Sequence, residues 1–256
     1  MLKILNQLII NNIGRDTTEY ISSNTMNMVA KKINPFIWTY DLKALILDIK
    51  KENKDVITIS LLPNQHWKDA KAGQYIELKL LIEGKEFRRY YSISDVKDNL
   101  IKITIKKIKN GIVSNWIHQN FKVGMSIDIS GPFGEFTYKN QNKLLFISAG
   151  SGITPCFSII NNLLEDNKSV DIQFFTQFSK SEDIIFSNEL NNLSKKINLK
   201  ISLTKENNNK ITKENFKNLF PDFQNRSIYL CGPEGFMDSV VNILEQENYD
   251  FKNLFI

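Results

Sequence analysis

Cysteine and histidine are scarce in this chain, two of each among 256 residues, and that scarcity excludes several chemistries at once. Cys156 and Cys231 are too few for a disulfide scaffold, and neither belongs to a closely spaced pair of the kind that holds zinc or an iron–sulfur cluster. Reduced thiols in the cytoplasm are the expectation. With His66 and His118 as the whole histidine complement, a multi-histidine metal centre and histidine-centred hydrolysis are both poor readings, and no metal is expected. No apolar run approaches the roughly 18 residues that cross a bilayer. What the chain does have is length for two domains, with 42% hydrophobic residues to bury a core.

Charge is unevenly spread. Residues 1–140 carry 21 Lys and Arg against 14 Asp and Glu, a net of +7, whereas residues 141–256 carry 12 against 14, a net of −2. A lysine-rich composition with solvated faces accounts for this, and so does a basic surface that attracts anionic cofactors or an acidic protein. No nucleic-acid partner is expected.

Three stretches differ in rhythm. Residues 1–40 form an N-terminal extension in which Leu2, Leu5, Leu8 and Ile9 fall near one helical face. Its residues 1–12 read as a packing helix, with a weak peripheral membrane contact as the alternative, and Asn34-Pro35 breaks the chain before an aromatic run. Residues 41–139 carry short extended signals at 56–62, 74–81, 89–94, 101–108 and 126–130, with turns at Glu83-Gly84 and Lys122-Val-Gly124. That pattern predicts an antiparallel barrel or sandwich, interrupted by one short helix at 114–119. In residues 140–256 strand and helix alternate: a strand Leu144-Leu-Phe-Ile-Ser-Ala149, helices at 155–164, 182–193, 212–219 and 236–246, and strands at 170–176, 197–204, 227–231 and within 251–256. This is the pattern of a parallel α/β domain.

Gly150-Ser-Gly-Ile-Thr-Pro155 follows an apolar strand and opens a helix whose first residue can be Pro155, where a missing N–H costs nothing. Free N–H groups and the helix dipole make such a terminus an anion site, and open parallel sheets bind nucleotides at their strand ends. An ordinary αβ turn is the alternative, and the missing third glycine argues against a conventional Rossmann dehydrogenase. Cys231-Gly232-Pro233 ends a later strand, so in a parallel sheet it shares an edge with Gly152 and Thr154; its thiol is either packing or a border for a nicotinamide. In the first domain, Arg89 can pair with a phosphate, while Tyr90, Tyr91 and Ser92 offer aromatic cover and a hydroxyl. Gly111-Ile-Val-Ser114 offers a second cradle at a helix start. Arg88 is expected in solvent, and Lys106, Lys107 and Lys109 read as a solvated strand edge. The turn-rich Gly131-Pro-Phe-Gly-Glu-Phe136 either closes a barrel or brackets an adenine.

With these residues in order, the chain resembles the ferredoxin–NADP reductase superfamily of flavoproteins from about Ala44 onward. The family's RxYS flavin motif reads Arg89-Tyr90-Tyr91-Ser92, its GxxS pyrophosphate motif Gly111-Ile112-Val113-Ser114, its GxGxxP nucleotide motif Gly150 to Pro155, and its CGP motif Cys231-Gly232-Pro233. The resemblance implies a flavin-binding antiparallel barrel followed by a parallel-sheet nicotinamide domain, with FAD as the cofactor rather than FMN and NADPH or NADH as substrate. It also implies the roles. Arg89 binds flavin phosphate, Tyr91 stacks on the ring, Ser92 hydrogen-bonds near its reactive edge, and Ile105 and Lys106 line it through their backbone. Gly111, Ile112, Val113 and Ser114 hold the pyrophosphate. Gly152 and Thr154 contact the nicotinamide nucleotide, Cys231 helps to place its reacting carbon, and Phe255 stands where many relatives have a terminal aromatic. Ser92 and Cys231 are thus the residues expected nearest the reaction. Ser179 and Lys180, after the second strand of the domain, tilt the choice of nucleotide toward NADPH.

Asn34 to Trp38, Pro63 to Trp67, Ala72-Gly-Gln74 and Glu182-Asp-Ile-Ile-Phe186 are similar to reductases that supply desaturases and oxygenases through an appended 2Fe–2S domain. No four-cysteine segment occurs in these 256 residues, so a separate acidic carrier such as ferredoxin or flavodoxin is the implied partner. Direct reduction of a small molecule, free flavin or quinone is the second reading, and a non-catalytic nucleotide-binding subunit the third.

Overall fold

The structure, a computed structural model, describes residues 41–206 and 210–256. The N-terminal extension, with its expected helix and Asn34-Pro35 break, lies outside them.

Among the described residues, six strands close into an antiparallel barrel in the order β1-β2-β5-β4-β3-β6. They are β1 (Lys43–Lys51), β2 (Val56–Pro63), β3 (Tyr75–Ile82), β4 (Lys85–Lys97), β5 (Leu100–Lys106) and β6 (Ser126–Phe133). Period-2 alternation points Ile46, Ile59, Leu61, Ile76, Leu78, Ile93, Ile103 and Ile129 inward, where they form one apolar core. Helix α1 (Ile112–Asn120) plugs that core with Val113 and Ile117. The Glu83-Gly84 turn is the expected two-residue hairpin: both residues have positive φ, 49° and 75°, as a type I′ connection between right-twisted strands requires. Residues 131–133 complete β6, pairing Phe133 with Tyr75, so the first half of this turn-rich stretch belongs to the barrel wall.

One strand of this half was not expected, and the bounds of another are corrected. Strand β1 carries no clear sequence signal, because a register shift between Ile46 and Asp48 ends its alternation after two buried residues. The strand expected at 101–108 stops at Lys106, so Lys107 and Lys109 belong to the turn before α1 rather than to a strand edge.

The second domain is a five-stranded parallel sheet in the order β11-β10-β7-β8-β9. Its strands are β7 (Lys143–Ala149), β8 (Asp171–Phe178), β9 (Asn198–Leu203), β10 (Ser227–Cys231) and β11 (Leu254–Phe255). Helices α2 (Ile153–Glu165), α3 (Ser187–Leu193), α4 (Lys213–Leu219) and α5 (Glu234–Gln246) cover it. The continuous apolar run of β7 follows from burial on both faces: Leu144 and Phe146 enter one core, Leu145 and Ile147 the other. The helix expected over 182–193 is divided, with a turn of 3-10 helix at Ser181–Asp183 and α3 beginning only at Ser187. Phe186 causes the break. Its φ of 58° is left-handed, a conformation held by a ring stack on Phe157 at 4.5 Å and by an N–H donated to Glu52 Oε2 at 3.3 Å.

The domains join twice. Phe136 leaves the barrel and meets Tyr229 of β10 edge-on at 5.3 Å, while the Tyr229 hydroxyl donates to the Thr137 carbonyl at 3.1 Å. On the other side the β1–β2 hairpin clasps the start of α3 and the loop before it: Asn53 Nδ2 donates to the Asp183 carbonyl at 3.3 Å, Lys54 meets Glu182 at 3.1 Å, and Lys50 meets Glu189 in the first turn of α3 at 2.7 Å.

At the opposite edge of the parallel sheet, Arg226 is buried and donates to the carboxylates of Asp171 and Asp222 and to the Leu144 and Asp171 carbonyls. It ties together the beginnings of β7, β8 and β10. Arg226→Leu leaves those carbonyls without their donor; because the carboxylates are only partly buried, the expected loss is about 2–3 kcal/mol rather than the larger cost of a fully buried pair. Urea unfolding checks this. The guanidinium also holds the Asp222 carboxyl below its usual range, so this stabilisation is present at neutral pH and is lost as acid protonates Asp222.

Candidate functional site

The carboxyl ends of β7, β8 and β10 face the barrel across a cleft of about 230 Å³. Its lining brings four expected residues together: Lys106 from the end of β5, Gly150 after β7, Ser179 after β8 and Pro233 after β10. Gly150 has φ 56°, and a Cβ there would meet no atom within 4 Å, so the turn stands open to the cleft. Gly152 is the opposite case. A Cβ built on it would lie 2.4 Å from the Cys231 carbonyl oxygen and 2.6 Å from Gly232 Cα, so the turn before α2 packs backbone to backbone against the end of β10. Thr154 and Pro155 are buried in the first turn of α2, with the Thr154 hydroxyl donating to the Ser151 carbonyl at 2.9 Å.

Apart from Lys106, the expected barrel residues are not in the cleft lining. Arg89 and Tyr91 fall on the same side of β4; Arg89 is exposed and folds back to donate to the Arg88 carbonyl at 2.7 Å, and Tyr91 is half-buried against the barrel core. Burial pushes the Tyr91 phenol up to about 12, so the ring stays neutral. Tyr90 is on the other side, edge-on to Tyr75 at 5.6 Å. Ser92 is half-buried opposite Tyr75. Arg88 is exposed, as expected, and pairs with Glu86 at 2.7 Å.

The residues fit a pyrophosphate. Gly111 caps α1 without any side-chain cap, leaving first-turn N–H groups of Ile112 and Val113 without helical partners. Ser114 Oγ accepts from Ile108 N–H at 3.1 Å, folding the loop so that a Cβ at Gly111 would lie 3.0 Å from that oxygen. The cradle is therefore a bare backbone turn held by its own serine. Ile105 is buried, and its carbonyl accepts from His118 Nε2 at 3.1 Å. Within the cleft, Gln177 Oε1 is buried without a protein partner, an acceptor available to a ligand's donor.

Cys231 is half-buried beside Ser148 in register, and burial raises its thiol to about 11. It is a neutral thiol at physiological pH. Phe255 is half-buried in β11, with one face stacked on Tyr229 at 4.6 Å. Lys180, next to Ser179, is not in the cleft lining; it meets Glu182 at 3.7 Å, and Glu182 also holds Lys54.

The sequence reading missed the hairpin residues Asn53 and Asp55, together with Gln177, Thr204 and Phe236, all of which line the cleft. Gln177 and Thr204 had one available signal, the rule that ligands gather at the carboxyl ends of parallel strands. The hairpin had none, since only the docking of the barrel brings it there. His118 and Glu206 were also passed over, the latter standing 27 positions from Ser179.

Gly150→Ala and Gly152→Ala separate conformational strain from packing. The first is expected to cost about 1–2 kcal/mol from its left-handed φ alone. The second must force α2 away from β10, so it should lower nicotinamide-nucleotide affinity by at least tenfold, on the order of 1.4 kcal/mol. Chemical denaturation and calorimetric titration of the two variants check the contrast; equal effects on nucleotide binding would contradict it.

Comparison with known proteins follows the same division. Residues 44–138 match the oxidoreductase FAD-binding domain family, and residues 146–242 the oxidoreductase NAD-binding domain family. The chain is 30% identical over 199 residues to the glycine betaine monooxygenase reductase subunit of Chromohalobacter salexigens, an alignment covering 72% of this chain and 54% of that protein. It is 30% identical over 203 residues to NADH oxidoreductase HCR of Escherichia coli, covering 75% and 60%. The chain thus spans little more than half the length of these relatives. The FAD/NAD-binding domain of nitric oxide dioxygenase from Vibrio cholerae superimposes with a TM-score of 0.73 at 26% identity, covering 84% of this chain and 96% of that one. A closed flavin-type barrel leading into a parallel nucleotide-binding sheet, each half matching its own family, makes this chain a member of the ferredoxin–NADP reductase superfamily of NAD(P)H-linked flavoprotein oxidoreductases.

Proposed function

We propose that this chain takes a hydride from NAD(P)H and passes electrons to a separate acidic carrier protein, ferredoxin or flavodoxin in type, that serves an oxygenase or desaturase. The observation that carries the reading is the shared cleft: Lys106, from the end of a barrel strand, lines the same space as Gly150, Ser179 and Pro233. A nucleotide seated there abuts the barrel. The chemistry that FAD supplies when bound is acceptance of a hydride and release of its electrons one at a time.

The protein's share is placement. Arg89 swings from the Arg88 carbonyl to a phosphate oxygen, and the bare first turn of α1 receives the same diphosphate. Tyr91 covers an aromatic ring, and Ser92 offers a hydroxyl beside it. On the nucleotide side, Gly152 and Thr154 fix the start of α2, while Cys231 limits where a nicotinamide ring can lie. A thiol with a pKa of about 11 neither accepts nor releases a proton near neutrality, so its contribution is shape. Exposed Lys107 and Lys109 beside Ile108, 63% exposed, offer a basic and apolar contact for an acidic carrier. Two free thiols suit the reducing cytoplasm, and among the described residues no helix is long and apolar enough to cross a membrane.

An anaerobic absorbance spectrum followed by rapid mixing with reduced nucleotide tests the core of this reading. Bound flavin that bleaches is the expected result; a colourless protein that takes up no FAD would overturn it. Reduction of a ferredoxin should slow as salt rises, whereas fast turnover without added protein would point to a small-molecule acceptor. Arg89→Ala should weaken FAD binding at least tenfold, as loss of a charge-assisted hydrogen bond of about 1.5–3 kcal/mol implies.

Cys231→Ser should slow flavin reduction roughly tenfold while FAD stays bound, since the smaller oxygen loosens the nicotinamide position. In the unaltered protein, the rate should show no step between pH 6 and 9 attributable to this thiol, because it ionises only near pH 11. A step near pH 8 that disappears in Cys231→Ser would show that the thiol titrates during the reaction.

A further inference from the structure

Two residues beyond Thr204 of the cleft lining stands a carboxylate that the linear sequence hides. Glu206, just beyond β9, accepts from the Ser181 N–H at 2.8 Å and from the Ser181 hydroxyl at 3.0 Å. The neighbouring Lys205 N–H donates to the Ser179 carbonyl at 2.9 Å, so the segments after β8 and β9 are laced together. Ser179 and Thr204, one from each segment, line the cleft. The carboxylate therefore stands next to Ser179 and Lys180, the pair that the sequence offers to a 2′-phosphate. The cation expected to receive that phosphate is already engaged: the Lys180 ammonium lies 3.7 Å from Glu182, whose carboxyl the adjacent Lys54 ammonium holds below the ordinary range.

We propose that Glu206 is a specificity-determining residue that selects NADH over NADPH, reversing the preference suggested by Ser179 and Lys180. The proposal rests on the reductase reading for the identity of the nucleotide. In an open parallel sheet the adenosine ribose lies near the end of the second strand, which here is β8, and a carboxylate there accepts hydrogen bonds from a free ribose diol. A 2′-phosphate at the same place brings a dianion toward Glu206. It also meets a turn whose backbone N–H, at Ser181, is already used. Gln177 Oε1, the unpartnered acceptor deeper in the cleft, adds to a surface that favours donors from the ligand over additional negative charge.

The expected selectivity is at least about fivefold, the lower bound for unit charges about 4 Å apart in water. Two measurements read it. The first is kcat/KM for NADH and for NADPH on the flavin-loaded protein. The second is calorimetric titration with ADP-ribose and 2′-phospho-ADP-ribose, which requires no turnover and still reports on the site if the reductase reading fails. Wild-type protein should prefer NADH and ADP-ribose. Glu206→Gln keeps an acceptor for Ser181 but removes the charge, so it should narrow both ratios; Glu206→Lys should invert them. A wild-type preference for the 2′-phosphorylated ligands, carried by Lys180 or Lys205, would overturn the proposal. So would a Glu206→Gln protein that loses both ligands in equal proportion, which would reduce Glu206 to a clamp on the Ser181 turn. If Glu206→Lys does not fold, the wild-type and Glu206→Gln ratios still decide.

Discussion

The backbone of Gly152 lies against the backbone of Cys231 and Gly232 with no space for a side chain between them, and the working edge of the sheet is organised around that contact. The two strands concerned, β7 and β10, are neighbours, but hydrogen bonding aligns them only as far as Ser148 and Cys231. Beyond those residues the chain leaves the ladder, and side chains would ordinarily hold the turns apart. A glycine in the first turn and another after the thiol allow α2 to begin directly over the end of β10. The start of a helix, with its unpaired N–H groups, and the thiol of the CGP segment thereby share one location. Gly150 plays a different part in the same turn, supplying the left-handed φ that reverses the chain toward the helix.

That edge is useful only if the barrel sits squarely against it. Aromatic packing of Phe136 on Tyr229 forms an apolar joint that salt does not screen, and α2 lies against β4 on the same boundary. The β1–β2 hairpin forms a polar clasp at the other side. Its ion pairs are solvent-exposed and contribute little to stability by themselves, but they orient the hairpin so that Asn53 and Asp55 become a wall of the cleft. Phe186 shows that the clasp matters locally: its left-handed backbone persists in a residue other than glycine because Glu52 holds its N–H from across the domain boundary.

Much of this architecture was legible in the sequence, for reasons that differ from element to element. Strand β7 announces itself through an unbroken apolar run, and the barrel strands β2, β3 and β5 through alternation. Strand β1 does not, because its bulge cancels the alternation where most of the strand is exposed. The break before α3 was also invisible, since nothing in Ile184-Ile185-Phe186 encodes a left-handed residue without the contacts that stabilise it. The site divides along the same line. Gly150, Gly152, Arg89 and Cys231 were singled out by the motifs in which they stand, and those motifs are local in sequence. Glu206, Gln177 and the hairpin residues act through tertiary placement, and no local pattern distinguishes them from other polar surface residues.

Strand order then separates recognition from reaction. Along the carboxyl edge the sequence of strands is β9, β8, β7, β10, three intervals that cover about 14 Å at the usual spacing between strands. Glu206 and Ser181 stand at the β9–β8 end, the open Gly150 turn at β7, and Cys231 at β10. On the reductase reading, a nicotinamide dinucleotide lying across this edge meets the carboxylate with its adenosine ribose, the helix terminus with its diphosphate and the neutral thiol with its reacting ring. A change at Glu206 thus alters which nucleotide is held, whereas a change at Cys231 alters how the ring is presented. The rigid turn at Gly150–Gly152 lies between them, so binding energy gained at the adenosine end can be used to position a ring that the adenosine never touches.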